Sequence, residues 1–503
     1  MSTNVGSLVH TLSPRGSGQD DGWSSRVAII DLSRAGVTRE ITYAELDAQG
    51  DAVAAGLAAR GVGRGARVGI LALNRPEYIA ALYGVMRAGA IPVPLNVKLP
   101  AESLAFIAKD AGVSLLFVDT AHRPVAPAVA MVDFDADYAE FLKPGPVEAV
   151  PPDAGDVCLQ PYTSGSTGRP KGVLLTHGGQ AWQIEALVRA RRMTPEDRVL
   201  VAAPLYHKNA LVWTKVCLAA GASIVLLARF DQRLYVESIG RHRVTRLSGV
   251  PTMFHLILGD PALAAVDKSS VRAIGVGSAP ASPALFEALH RTFPNAVATN
   301  GYGVTEAGPV MFANHPQGTP RPAASIGYPL EGCEVRLDPG PDEGVLLTRN
   351  PGVMAGYHNL PEETARRLKD GWFDTGDVCR RDADGFYYFV GRTDDMFVCG
   401  GENVYPGEVE GTLERHPDIL QAAVLPVDHA LKGQVPVAFV VARPDAALTE
   451  QAVKAWALAH GPAYQHPRRV FLVSALPLAG TNKIDRAALK ARALAVPDPT
   501  RGG

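Results

Sequence analysis

An α/β architecture assembled in blocks is the fold class that this chain predicts, and three changes of texture along its 503 residues predict it. First, short apolar runs alternate with helical patterns, as in parallel sheets with helices on their faces. Tyr43–Arg60 has helical spacing, Arg67–Leu73 is a buried-strand run, Tyr78–Ala88 is helical again, and Ser223–Leu227 and Val271–Val276 repeat the strand texture. A Pro/Ala-rich stretch, His122 to Gly155, separates this first α/β block from a second. Second, Ile326 to Val390 breaks into short strand candidates with turn signals at Asp338–Gly344 and Arg381–Gly385, which suits a small β unit. Third, after Gly391 the pattern becomes α+β. Helix Pro406–His416 opens on a first-turn proline, strands Leu420–Val427 and Val435–Arg443 follow, then helix Thr449–His460, strand Val470–Val473 and a last helix from Asp485. That makes a unit of about 110 residues, an ordinary domain size. No internal repeat is present.

Composition narrows the function classes. Forty-nine basic against fifty-one acidic residues leave a net charge of −2 without a long run of one sign, so nothing recommends a nucleic-acid partner or a membrane surface. The five cysteines (Cys158, Cys217, Cys333, Cys379, Cys399) are widely spaced with no C-x-x-C pair, which argues against a disulfide framework or a zinc site and for reduced thiols in cytoplasm. No apolar run reaches the ~18 residues of a membrane span. Residues 1–22 lack an apolar signal core, and they and Pro497 to Gly503 are expected to be loose ends.

The most informative stretch is Tyr162 to His177, Y-T-S-G-S-T-G-R-P-K-G-V-L-L-T-H. Gly165 and Gly168 let the backbone turn N–H groups inward, Thr163, Ser164, Ser166 and Thr167 add hydroxyl donors, and Lys171 adds positive charge. Such a loop can cradle a polyphosphate. Its spacing is neither the Walker pattern nor a strand-led G-x-G-x-x-G, and read alone the composition also fits a solvated linker. The rest of the chain decides between the two.

Five further segments follow in order: Pro204–His207 (P-L-Y-H), Asn300–Gly308 (N-G-Y-G-V-T-E-A-G), Gly371–Asp377 (G-W-F-D-T-G-D), Gly391–Glu410 (G-R-T-D-D-M-F-V-C-G-G-E-N-V-Y-P-G-E-V-E) and Thr481–Asp485 (T-N-K-I-D). With the loop, they resemble the acyl-CoA synthetase branch of the adenylate-forming superfamily, and the match runs from about Ile41 to about Leu489. The resemblance implies a large N-terminal domain of two α/β sheet subdomains plus a small β-barrel-like unit (23–393), and a smaller mobile α+β C-terminal domain (394–503). It implies a two-step reaction: a carboxylic acid attacks the α-phosphate of ATP to give acyl-AMP and pyrophosphate, and the thiol of coenzyme A then displaces AMP. That chemistry suits a sequence with no obviously activated serine or cysteine, because the substrates supply the nucleophiles and the protein supplies position and charge.

Residue roles carry over motif by motif. Thr163 to Gly168 with Lys171 are implied to hold the β- and γ-phosphates. Ala279, Asn300, Gly301, Tyr302 and Thr305 belong to the segments implied around adenine and the α-phosphate. Glu306, with Ser166 as the weaker candidate, is implied as the Mg²⁺ ligand. Asp377 and Arg392 are implied on the ribose, and Lys483 as the catalytic cation between carboxylate and α-phosphate. Here Thr481-Asn482 replaces the usual Ser/Thr-Gly. Asp394 matches the hinge about which the C-terminal domain swings, and Gly400 and Gly401 the tunnel for the pantetheine arm of coenzyme A, though a plain β-turn also explains two glycines. His207 matches the gate of the acyl pocket, with Asn209, Gly249, Gly303 and Val310 as further pocket positions; Gly249, Gly303 and Val310 are small enough to admit a ring.

A buried Asn209 would favour an acid with a polar group, and Trp213 argues against a long channel. The order of expectation is therefore an aromatic acid, then a short or medium acyl chain, then a fatty acid. Free coenzyme A is the expected acceptor, since little chain follows Lys483. A stand-alone enzyme loading a carrier-protein pantetheine is the alternative, and a luciferase-like oxygenase or a non-catalytic nucleotide binder stand further off. A dehydrogenase is disfavoured because Gly275-x-Gly277 lacks the third glycine. The sequence leaves the oligomeric state open, with a homodimer as candidate.

Overall fold

The computed structural model describes residues 4–8, 22–143, 145–153, 155–164, 169–279, 281–429, 431–444, 446–478 and 484–496. Two α/β sheets form the bulk of the N-terminal part. The larger has seven strands in the order Val297–Gly301, Ala273–Gly277, Arg246–Gly249, Arg198–Val201, Ser223–Leu226, Val27–Asp31 and Arg39–Thr42. All neighbours pair in parallel except the last two, which are antiparallel. The smaller sheet has four parallel strands in the order Ile91–Pro94, Arg67–Leu71, Val113–Val118 and Ala130–Asp133. Their near-continuous apolar runs are what a sheet covered on both faces requires.

The sequence-predicted blocks do not coincide with the sheets. Strand Val27–Asp31 precedes the first helix but pairs with Ser223–Leu226, with Ile29 opposite Ile224, so the larger sheet takes strands from both blocks. The stretch His122 to Gly155 is not only a separator: Ala130–Asp133 joins the smaller sheet, and Phe134, Tyr138 and Phe141 pack around Phe117. Alternating Pro and Ala hid these few aromatic anchors.

Residues 4–8 are anchored where a loose end was expected, and the rest of that expectation, residues 1–3, 9–21 and 497–503, lies outside the described residues. Asn4 donates its amide to the carbonyls of Met86 and Val150 at 2.9 Å each, and the Val5 N–H donates to His177 Nδ1 at 3.0 Å. Arg87, fully buried, donates to the Gly6 carbonyl and to the carboxylates of Asp47 and Asp51. A buried guanidinium with two carboxylates and two carbonyl acceptors anchors the segment, because losing any partner strands a charge away from water.

Helices begin and end where the local chemistry dictates. Tyr43–Ala58 starts at a capping box in which Thr42 and Glu45 satisfy each other's backbone N–H. Pro76–Arg87 is buried on every side, which suits a helix wedged inside the domain. The β unit is a five-stranded antiparallel sheet built on Glu343–Arg349 and Trp372–Arg381. A separate C-terminal domain holds its own five-stranded sheet around the long hairpin Ile419–His429 and Gly433–Ala442, with helices Pro406–Leu413, Glu450–His460 and Arg486–Ala495 packed on it. Each predicted C-terminal element is present within a few residues of its expected bounds.

Candidate active site

Four neighbouring parallel strands deliver candidate residues from their carboxyl ends. Arg198–Val201 leads to His207, Arg246–Gly249 ends on Gly249, Ala273–Gly277 leads to Ala279, and Val297–Gly301 ends in Asn300 and Gly301 just before Tyr302. A crevice beyond the carboxyl ends of parallel strands is where open α/β sheets bind ligands.

The phosphate-loop candidates are held by a hairpin. Tyr162–Ser164 pairs antiparallel with Pro170–Thr176 and sets Thr163 directly opposite Lys171. The Tyr162 hydroxyl donates to Asp110 Oδ2 at 2.6 Å and fixes the near side of the hairpin. Gly165, Ser166, Thr167 and Gly168, and the side chain of Ser164, lie outside the described residues. Lys171 is not free: its ammonium donates to Glu363 Oε1 at 2.6 Å. Glu363 is held down to about 2, first by Arg366 and then by Lys171. A cavity of about 480 Å³ lined by Asn359 to Glu363 and Arg366 opens beside this pair.

Glu306 gathers the site. It lies in the short 3-10 turn Thr305–Ala307, and its Oε1 accepts from the hydroxyls of Thr163 and Tyr357, both at 3.2 Å. Among the described residues its Oε2 has no hydrogen bond or ion pair. One carboxylate oxygen left open beside the hairpin of the phosphate-loop candidates is a donor set that fits Mg²⁺, which takes one or two carboxylates and completes its shell with phosphate and water. No group of three or more His, Cys, Asp or Glu among the described residues is placed to hold a metal by itself.

Asp377 and Tyr302 meet across the fold. The Tyr302 hydroxyl donates to Asp377 Oδ2 at 2.5 Å, and Arg392 Nε lies 3.5 Å from Asp377 Oδ1 because Asp377 and Arg392 are register partners in adjacent strands. Burial pushes the Asp377 carboxyl up to about 6, against the hydrogen bond from Tyr302 and the charge of Arg392. The Tyr302 ring rests against Phe312 and Phe389. Asn300 donates to the Ala324 carbonyl at 3.2 Å, and its own carbonyl accepts from Arg321.

The acyl-pocket candidates divide. His207 opens helix Lys208–Ala219, and its ring packs edge-on against Tyr206. Asn209 is half-buried, not buried, and its amide N–H donates to the Ser278 hydroxyl at 3.0 Å, so that donor already has a partner. Ser278 sits at φ +67, a left-handed backbone uncommon outside glycine, which turns its hydroxyl onto Asn209 and precedes half-buried Ala279. At Gly249 an added Cβ would stand 3.2 Å from Met253 and 3.3 Å from Phe254, tighter than ordinary contact, so these side chains already fill the space. Gly303 does not make room for a ring: its Cβ would collide with the Pro309 carbonyl, the backbone that the bridge between Gly303 and half-buried Val310 brings alongside. At Gly275 small size matters in the same way, since the Trp213 indole comes within 3.3 Å of the Cβ position there.

In the C-terminal domain, Gly400 and Gly401 form a two-residue hairpin loop with φ of +62 and +94, which glycine alone adopts readily. Among the described residues, no atom other than those of its chain neighbours lies within 4 Å of a Cβ placed on Gly401. Asp394 is 3.8 Å from Arg367 and 3.7 Å from Arg392. Lys483 lies outside the described residues; beside it, Ile484 bridges Leu478, and Asp485 caps the last helix. Sequence reasoning missed Tyr357 and Glu363, which reach Glu306 and Lys171 from the segment after the β unit begins. An isolated Gly-Tyr and a Glu in a surface helix carry no local signal of that role.

A parallel sheet with its crevice ringed by these groups, a β unit and a separate C-terminal domain define the class of adenylate-forming enzymes. The model of the AMP-binding enzyme family matches residues 18–358, and that of the AMP-binding enzyme C-terminal domain matches residues 408–483. The chain belongs to this family, and it is an enzyme, an AMP-forming acid–thiol ligase. It is 36% identical to a feruloyl-CoA synthase of Amycolatopsis sp over 470 residues, 90% of this chain and 94% of that protein. It is 33% identical to the indoleacetate–CoA ligase of Aromatoleum aromaticum, covering 92% and 96%. Among solved structures, the anthranilate CoA ligase in complex with anthranoyl-AMP superposes with a TM-score of 0.88 at 26% identity, covering 98% of both chains. No helix among the described residues is long and apolar enough to cross a membrane.

Proposed function

We propose that this ligase joins an aromatic carboxylic acid to free coenzyme A through an acyl-AMP. The observation that carries the reading is the convergence on one crevice of Thr163, Glu306, Tyr302, Asp377 and Arg392, drawn together by hydrogen bonds across 75 to 143 residues of chain. The names of the relatives support the aromatic class: feruloyl, indoleacetate and anthranilate are all ring acids. The Trp213 indole over Gly275 supports a pocket closed at ring length.

In this reading Thr163 to Gly168 and Lys171 hold the β- and γ-phosphates, so Lys171 exchanges Glu363 for phosphate when ATP enters. Ala279, Asn300, Gly301, Tyr302 and Thr305 face the adenine and α-phosphate. Asp377 turns from the Tyr302 hydroxyl to the ribose hydroxyls, with Arg392 beside it. Glu306, aided by Ser166, holds Mg²⁺, which when bound neutralises phosphate charge. His207 gates the acyl pocket, walled by Asn209, Gly249, Gly303 and Val310. Lys483 spans the attacking carboxylate and the α-phosphate. Residues 23–393 make the N-terminal domain and 394–503 the C-terminal domain, which turns about Asp394 to exchange Lys483 for Gly400 and Gly401. The open surroundings of Gly401 support a state in which the second half-reaction face is turned outward.

The test is release of AMP and pyrophosphate with ATP, Mg²⁺ and coenzyme A across acids from acetate to palmitate, including benzoates, hydroxybenzoates and cinnamates. Coenzyme-A-dependent AMP release with ring acids is the expected result. Pyrophosphate release indifferent to coenzyme A would move the acceptor to a carrier protein, and preference for palmitate would overturn the substrate class.

A further inference from the structure

Away from the crevice groups already assigned, helix Lys208–Ala219 buries two lysines against helix His177–Ala190. Lys208 and Lys215 are two turns apart on one face and 7% and 2% exposed. Both ammonium groups donate to a single acceptor, Gln180 Oε1, at 2.9 and 2.6 Å. Among the described residues no carboxylate lies within ion-pair distance of either. Gln180 is itself fixed, because its Nε2 donates to the Gly308 carbonyl at 3.0 Å.

One turn along the same helix, Gln183 is 1% exposed and its Nε2 has no hydrogen-bond partner among the described residues. That nitrogen stands 2.7 Å from where a Gly308 Cβ would be, so it shares the space beneath Gly308 with the Gln180 amide. Two ammonium groups thus share one amide oxygen, and a buried carboxamide N–H close by is left without an acceptor among the described residues. The imbalance is wholly on the donor side. Burying an ammonium without a counter-charge costs several kcal/mol, so such a cluster is stable only with an anion between the cations or with its lysines deprotonated. Burial depresses Lys215 to about 8 and Lys208 well below the usual lysine range, the latter also through repulsion by Lys215. The thiol of Cys158, the titratable neighbour of both, is pushed up to about 11 by burial and brings no charge.

We propose that Lys208, Lys215 and Gln183 form a buried site for a small anion of carboxylate type, between the two helices and beneath Gly308. Two ammonium groups and an amide N–H match the lone pairs of a carboxylate as charge-assisted donors. The carboxylate has two possible sources, a small acid from solution or the far end of a dicarboxylic substrate, and the second source rests on the ligase reading above. Lys208 follows the gate residue His207 directly, and Gly308 lies two residues beyond Glu306, so the site borders the crevice along the chain at both ends.

The experiment is thermal denaturation of the full chain at constant ionic strength, with formate or acetate replacing the bulky anion gluconate, for wild type and Lys215→Met. The expected result is a saturable rise in melting temperature in wild type that Lys215→Met abolishes. Gln183→Leu, which leaves both charges in place, should weaken the half-saturating concentration several-fold and serves if Lys215→Met does not fold. A melting temperature indifferent to the small anions in wild type, or raised by Lys215→Met equally in every salt, overturns the site, since neither result leaves an anion held between the lysines. AMP release then separates the sources. Loss of turnover with a dicarboxylic acid but not with its monoacid in Lys215→Met identifies the substrate end, and equal turnover of both identifies the free anion. The melting arm needs no catalysis, so failure of the ligase reading leaves it intact.

Discussion

Lys171 and Asp377 are both committed to protein partners, and each commitment sets a measurable quantity. Glu363 is held ionised by Arg366 and Lys171, and in the proposed function it competes with phosphate for the Lys171 ammonium. Glu363→Gln is expected to lower the KM for ATP about 3–10-fold with little change in kcat, since it removes a ground-state competitor. An unchanged or raised KM would show that Lys171 does not leave Glu363 for phosphate. For Asp377 the sign follows from burial. Its folded value of about 6 lies above the ordinary carboxylate range, so between about pH 4 and pH 6 the folded chain keeps a proton the unfolded chain has lost, and stability falls as pH rises through that window. In the proposed function ribose hydroxyls donate to the ionised form, so nucleotide binding should tighten by up to about tenfold per pH unit up to pH 6 and level off above. Calorimetric titration with AMP from pH 5 to 8 checks this, and Asp377→Asn should flatten the profile.

At the scale of elements, the helix Lys208–Ala219 has two working faces about 100° apart. One carries Asn209 and Trp213 toward strand Ala273–Gly277, and the other carries Lys208 and Lys215 toward helix His177–Ala190. Trp213→Ala removes the indole over Gly275 and should raise kcat/KM for acids two or more carbons longer by about 10–200-fold relative to the best ring acid, the discrimination that a methylene-sized change in an apolar pocket supports. The measurement is the acid panel repeated on the variant. Elements of this kind were legible in the sequence wherever one face or one strand run was apolar: Tyr43–Ala58, Pro76–Arg87 and the whole C-terminal series fall close to expectation. Strand Ala130–Asp133 was hidden because two of its four residues are exposed and its alternation is lost among prolines.

For the molecule as a whole, the C-terminal domain touches the large sheet's helices at few points. Gln421 donates to the Thr252 hydroxyl at 3.4 Å, and the Glu414 carboxyl meets Ser282, the cap of helix Pro283–Thr292. Burial raises Glu414 to about 7, against the N–H of Ala422. Ser282 is the neighbour of Glu414 from across the domain boundary, and to the extent that docking supplies the burial, docking should loosen as pH rises through 7. Small-angle scattering from pH 6 to 8.5 is expected to show an expanding radius of gyration, absent in Glu414→Gln. Asp394→Pro should spare one half-reaction while depressing the other, read as acyl-AMP formation against thioester formation from supplied acyl-AMP. Equal loss in both would remove Asp394 from the hinge.

The sequence by itself determined the class of enzyme and the order of its parts. Six motifs are short, contiguous and rich in glycine, hydroxyl and charge, so each announces itself without reference to what it touches. Tertiary structure alone decided the partnerships. Tyr357 at Glu306, Glu363 at Lys171, Val27–Asp31 in the larger sheet and the Gln180-bound lysine pair all join residues that are tens to hundreds of positions apart. Their cause is burial and donor–acceptor matching across the folded core, and neither leaves a trace in local spacing.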